Sequence, residues 1–253
     1  MVSMLLFVIG ATLGSFLNVL IDRLSTGRNF TTGRSYCEHC KKTLKTADLV
    51  PIFSYLLLLG RCRYCKKSIP FRIFFVEFFC ALLFPFAYAY SLQSGYSLSV
   101  VPFLFLVLWS YIGIFFADFE YGIIPDLLVG VSIIAAVPLL FITGMPLMNH
   151  LFSALGAFLF FLILHLATKG KGMGLGDVKL AFSFGLLLGF PLVIVGMYVA
   201  FLTGAAVAII LVIWRKLRFF GGTVPFGPFL ILAAYFALFF GDSVTIFITR
   251  SFF

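Results

Sequence analysis

Two aspartates stand out in a chain with only nine acidic residues, Asp118 and Asp177. Asp118 ends a stretch without Asp, Glu, Lys or Arg that begins after Glu77. Asp177 closes the turn Gly174-Leu175-Gly176-Asp177 just before a second such stretch, Leu180 to Trp214. An ionised carboxylate near a bilayer centre costs about 2.5–3.5 kcal/mol on insertion scales, so acids in such settings point to function. Two carboxyls in contact cannot both ionise cheaply; one keeps its proton and the other is a base. Such a pair can deprotonate water while protonating the carbonyl oxygen of a peptide bond. Gly174 and Gly176 permit close backbone approaches beside it. A loop with an N-cap explains the same four residues equally well, because an aspartate suits a helix start. Lys179 either supports this site or reaches to the membrane interface. Asp126, after Pro125, reads as a helix cap, and Glu120 as a residue facing water.

A second constellation is Cys37-Glu38-His39-Cys40 with Cys62-Arg63-Tyr64-Cys65, two C-x2-C knuckles. Paired knuckles present four thiolates and read as a closed structural Zn2+ site with Cys37, Cys40, Cys62 and Cys65 as ligands. A loop with too small a core to order itself gains from such a metal. Disulfides or a redox dithiol are the alternatives, and His39 could replace one thiolate. Cys80 reads as ordinary packing.

The elements that must position these groups are membrane helices. The chain is 62% hydrophobic and 11% charged, where a soluble domain carries about a quarter charged residues. Spans of roughly 20 apolar residues are needed to cross a bilayer. They are expected near 2–21, 72–90, 99–117, 127–145, 149–168, 179–192, 193–214 and 225–241. The sixth is short and meets the seventh at Gly189-Phe190-Pro191, so seven or eight are both possible from length alone. Of the 18 Lys and Arg, all but Arg250 fall in three clusters, Arg23–Arg72, Lys169–Lys179 and Arg215–Arg218. Eight spans place all three on one face, which the positive-inside rule makes cytoplasmic, with the N-terminus outside. The first span lacks the basic start of a cleaved signal and reads as a retained helix.

The expected fold is therefore an all-α polytopic membrane protein of about eight transmembrane helices with a small cytoplasmic zinc-knuckle loop domain. Its divisions are a first helix (1–21), the loop domain (22–71) and a bundle carrying both aspartates (72–253). That topology brings Asp118 and Asp177 to one depth at the cytoplasmic membrane edge. The +9 charge is explained by topology and lipid attraction, without nucleic acid.

Several blocks in order resemble the bacterial prepilin peptidases, or type IV leader peptidases. They are Gly14-Ser15-Phe16-Leu17-Asn18-Val19 with Arg23-Leu24, then Asp48-Leu49-Val50-Pro51, and Gly60-Arg61 leading into the second knuckle. Next come Asp118-Phe119-Glu120-Tyr121-Gly122-Ile123-Ile124-Pro125-Asp126, Gly174 to Leu180, and Pro225-Phe226-Gly227-Pro228.

The resemblance implies an intramembrane aspartic endopeptidase of the bacterial cytoplasmic membrane. Asp118 and Asp177 are then its catalytic pair and the four cysteines its zinc ligands. It implies prepilin and pseudopilin substrates, cut between a short basic leader and a hydrophobic helix at the cytoplasmic face. It further implies N-methylation of the new N-terminus with S-adenosylmethionine. For that activity Ile69-Pro70-Phe71-Arg72 to Glu77 is the candidate stretch, with Arg72 and Glu77 in place and Pro70 and Phe74 departing from the pattern. Glu77 could equally pair with Arg72 structurally. An ion- or proton-coupled transporter with a regulatory zinc knuckle, a presenilin-type protease and a non-catalytic assembly scaffold are the competing readings. Oligomeric state is not legible.

Overall fold

The computed structural model describes residues 1–29, 31, 33–214 and 224–252, from 242 onward by backbone alone. The basic cluster Arg215–Arg218, the turn at Gly221-Gly222 and the side chain of Arg250 lie outside the described residues.

The long apolar runs become helices, which continue through internal prolines such as Pro85 and Pro138. The first, α1 (Val2–Ser25), continues past its expected end, and Thr26 closes it by donating its hydroxyl to the Asp22 carbonyl at 2.6 Å. A 3-10 turn (Thr46–Asp48) and the short α2 (Phe53–Leu57) lie between α1 and α3 (Phe71–Gln93). Then come α4 (Val100–Tyr121), α5 (Asp126–Thr143) and α6 (Leu147–Ala167). They are followed by α7 (Leu175–Leu188), α8 (Leu192–Ile213) and α9 (Gly227–Phe252).

Apart from α2, eight helices of 14 residues or more make up the described chain, matching the expected count. Six of these, α1, α3, α4, α5, α6 and α8, are long and apolar enough to cross a membrane. The short sixth run is α7, with 14 residues, and it stands apart from α8 because Gly189 adopts a left-handed φ of +67°. The last helix extends beyond Gly241, the expected end of its span.

The helices pack mainly as neighbouring pairs: α1 on α3, α4 on α5, α6 on α7, α8 on α9. Small residues set the closest of these. Gly10 and Gly14 form a small-x3-small stripe, and a Cβ on Gly14 would lie 2.8 Å from the Glu77 Cα. Gly185 likewise lets α7 press on α6, where a Cβ would meet the Ser153 carbonyl at 2.5 Å. The centre is α4, with 72% of its most apolar stretch buried against 17% for α8.

Three helices share a buried polar contact. Tyr111 of α4 and Ser132 of α5 both reach the Ser183 hydroxyl of α7, at 3.1 and 2.7 Å. Ser132 also donates to the Val129 carbonyl, so none of these three hydroxyls is stranded in the apolar interior.

Candidate active site and cysteine cluster

Asp118 lies in the last turn of α4, which ends because Gly122 takes the left-handed conformation and donates its N–H to the Asp118 carbonyl. The side chain is buried, and its Oδ2 accepts the backbone N–H of Gly227 at 3.0 Å. Gly227 is the first residue of α9, so an unsatisfied helix-start donor and its dipole are aimed at the carboxylate.

Asp177 sits in the first turn of α7. Its Oδ2 accepts the Gly174 N–H at 3.0 Å, while Oδ1 is buried without a hydrogen-bond partner. Local structure thus satisfies the helix-cap reading and leaves one oxygen for chemistry. Asp126 does not cap α5 with its side chain, contrary to expectation. Instead Lys179 donates to both its oxygens, at 2.8 and 2.9 Å.

The two aspartates line one cavity of about 260 Å³, together with Gly122, Ile123, Ile124, Asp126, Gly174, Gly176 and Lys179. Ile124 packs so closely that a Cβ on Gly176 would lie 2.9 Å from its own Cβ. The same residue touches the Gly227 side of the site, where its Cδ1 would meet an added Cβ at 3.3 Å. The structure therefore gathers Asp118, Asp177, Gly174, Gly176 and Lys179 in one place. Each aspartate has one oxygen fixed by a helix-start N–H, which defines the direction of the other. Such an arrangement can hold a water between a base and an acid.

Arg72 and Glu77 lie elsewhere, and they do not pair. Arg72 donates to Asn18 Oδ1 at 3.2 Å and to Asp22 Oδ1 at 2.5 Å, and its Nε lies 2.5 Å from Glu120 Oε2. Tyr121 adds its hydroxyl to Asp22 at 2.8 Å, and Asn18 donates to the Ile73 carbonyl. This network joins α1, α3 and α4 beside the last turn that holds Asp118. Glu120 belongs to it while still facing water, as expected, with its side chain 38% exposed. Asp22 and Asn18 gave no signal in the sequence beyond lying in the first block. Glu77 is buried in α3, and its Oε2 accepts the Ile52 N–H at 2.7 Å.

The four knuckle sulfurs all lie within 4.8 Å of one another, and Cys37 and Cys65 Sγ are 3.8 Å apart. Four sulfurs about 2.3 Å from a central zinc stand about 3.8 Å apart, so this donor set fits a tetrahedral thiophilic ion. The two knuckles repeat one backbone pattern. Lys41 and Lys66 both take left-handed φ, near +58° and +59°, and bond back to the Cys37 and Cys62 carbonyls. Bridges Tyr36–Thr43 and Arg61–Ser68 close the two turns. Backbone N–H groups of Cys65 and Tyr64 donate to the Cys62 sulfur and hold its pKa down to about 7, favouring the thiolate that a metal needs. Asp48 and Arg63 tie the second knuckle to the 3-10 turn at 2.5 Å.

Comparison with known proteins agrees with these features. Residues 8–91 match the model of a bacterial peptidase A24 N-terminal domain, and residues 104–211 that of the type IV leader peptidase family. A prepilin leader peptidase/N-methyltransferase of Legionella pneumophila is 31% identical over 222 residues, covering 85% of this chain and 75% of that protein. One of the same name from Aeromonas hydrophila is 30% identical over 279 residues, 95% of this chain and 91% of the relative. Another, from Pseudomonas aeruginosa, is 28% identical and covers 94% and 90%. No solved structure matches the chain. With relatives at this level along nearly all of its length, and both family models met in order, the chain belongs to the type IV leader peptidase family.

Proposed function

We propose that this protein is a membrane-embedded aspartic endopeptidase that removes the leader of prepilins and pseudopilins, with Asp118 and Asp177 as its catalytic pair. The carrying observation is that both carboxylates line one cavity, each with one oxygen held by a backbone N–H. The ionised member takes a proton from water as the water attacks the scissile carbonyl. The protonated member donates to the carbonyl oxygen, and a proton then passes to the leaving amine. Gly174 and Gly176 keep the cavity open to a peptide backbone, and Lys179 with Asp126 borders it. The alternative of a proton- or ion-coupled transporter finds no support in the relatives.

The basic clusters favour a multi-pass protein of the bacterial cytoplasmic membrane with its N-terminus outside. The cysteine loop and the aspartates then face the cytoplasm. The lipid bilayer and prepilin substrates are its partners. The metal held by Cys37, Cys40, Cys62 and Cys65 is proposed to be zinc; a closed four-sulfur shell supplies folding energy rather than chemistry.

The names of the relatives extend the reading to methylation of the new N-terminus with S-adenosylmethionine. Arg72 and Glu77 enter that reading as positioning residues, because their polar atoms are already engaged by protein groups.

The test is mass spectrometry of a prepilin incubated with the purified protein, with and without S-adenosylmethionine. Loss of the leader mass is expected in both reactions, and a methyl increment only with the cofactor. An intact prepilin, with the enzyme folded and metal-loaded, would refute the assignment.

A further inference from the structure

The stretch Leu49–Gly60 contains no charged residue, yet it sits in the loop between α1 and α3. Uncharged apolar runs of about 10–14 residues are too short to span a bilayer and suit core, interfacial or re-entrant segments. Core is excluded by exposure. Leu49, Val50, Phe53, Leu56, Leu57 and Leu59 all face outward, Leu57 and Leu59 at 83% and 84%.

The depth of this segment follows from what it touches. The guanidinium of Arg72, bound to Asp22 and Glu120, marks a charged level on α1, α3 and α4. Ile52 lies beyond that level. It packs in one cluster with Ala11 of α1 and Ala81 of α3, with Phe7 and Phe74 against it. At 1.5 Å per residue, Ala81 is about 13 Å further along α3 than Arg72, and Ala11 about 16 Å along α1 from Asp22. Tyr55 sets its ring at a tilt against Phe71 and Phe74 of the same helix flank, with centroids 6.1 and 5.5 Å away.

Glu77 gives the segment a reason to be there. It stands about 7 Å along α3 from Arg72, at a depth where lipid would offer its carboxylate nothing. Ile52 supplies the N–H that this carboxylate accepts, at 2.7 Å, and does so from a left-handed φ of +65° that a β-branched residue rarely adopts. The outward apolar side chains continue the surface formed by Phe71, Phe75 and Phe79 of α3, which are also exposed. The segment is flanked by Lys45 and Arg61. Its one neighbouring acid, Asp48, is almost fully covered and paired with Arg63.

We propose that Leu49–Leu59 is a re-entrant segment whose outer face is covered by lipid acyl chains. It dips beside α3, seals Glu77 from hydrocarbon, and holds the cysteine module on the bilayer surface. The occupant is lipid, because the face is apolar and continuous with a spanning helix, and its borders are cationic. The loop is then not a free soluble domain. This inference does not depend on the peptidase reading.

The test uses the full chain, metal-loaded, in nanodiscs of phosphatidylethanolamine and phosphatidylglycerol. Benzoylphenylalanine is placed singly at positions 57 and 59, and the adducts formed on irradiation are identified by mass spectrometry. Ile209, 60% exposed on α8, serves as the lipid-facing reference, and Lys42 as the reference on the knuckle. Phospholipid adducts at 57 and 59 in yields like those at 209, and absent at 42, are expected. No lipid adduct at 57 and 59 while 209 gives one would overturn the proposal. So would cross-links there to a second copy of the chain.

Discussion

Gly227 donates its backbone N–H to Asp118 Oδ2 at 3.0 Å although 109 positions separate the two. The contact joins the start of α9 to the end of α4, and it leaves no room for a side chain. A Cβ at position 227 would lie 2.6 Å from that oxygen. Gly227→Ala must therefore push the carboxylate aside. Displacing a reacting group by about 1 Å can cost roughly a hundredfold in rate. A fall of that order in kcat for prepilin cleavage is expected, with the protein still folded; unchanged turnover would remove Gly227 from the site.

Asp118→Asn and Asp177→Asn keep an oxygen able to accept from Gly227 and Gly174. Each variant should fold and retain its metal while losing cleavage by at least roughly 10²–10⁴-fold, the range of a general acid or base. Thermal unfolding in the same detergent separates loss of chemistry from loss of structure. Normal turnover by either variant ends the two-carboxylate mechanism.

Removing the metal proposed for the four cysteines is expected to act on the loop, whose residues do not line the cavity. Cys40→Ser or Cys62→Ser should lower bound metal measured by elemental analysis, and zinc should be the ion recovered from the unmodified protein. Because four thiolates close the coordination shell, the loss should appear as earlier unfolding and proteolysis of the loop. A metal-free protein with an unaltered loop would mean that the cluster holds no structural ion.

Ser183 is where Tyr111 and Ser132 converge inside the bundle. Ser183→Ala leaves two buried hydroxyls with fewer partners. Hydrogen bonds between membrane helices average about 0.6 kcal/mol and reach about 1.7. Destabilisation in that range is expected, read from denaturation in mixed micelles. Ser183→Thr, which keeps the hydroxyl, should recover most of it.

Much of this arrangement could be read from the chain, because its signals are local. The C-x2-C pairs and the Gly-x-Gly-Asp turn each announce themselves within four residues, and long uncharged runs give the helices. What was hidden depends on helix faces meeting. Nothing near Gly227 in sequence announces Asp118, and Arg72 chooses Asp22 and Glu120 rather than Glu77 because α1 and α4 converge on its side of α3. The short run at Leu49–Gly60 fell below the length of a span and so merged with the loop. Its depth emerges only from Ile52 against Ala11 and Ala81. Gly10 and Gly14 were legible as a packing stripe but carried no charge to draw notice.

One hydrogen bond has a mechanical consequence. Asp177 accepts from Gly174, so the residue proposed to exchange protons with substrate also fastens the beginning of its own helix. A change in its charge alters the strength of that fastening. In the proposed mechanism each catalytic cycle changes the charge that the first turn of α7 is fastened to, and the Gly174–Gly176 turn feels it. Exchange of the Gly174 amide is then expected to quicken while substrate is being consumed, and an unchanged exchange rate would separate that turn from the chemistry.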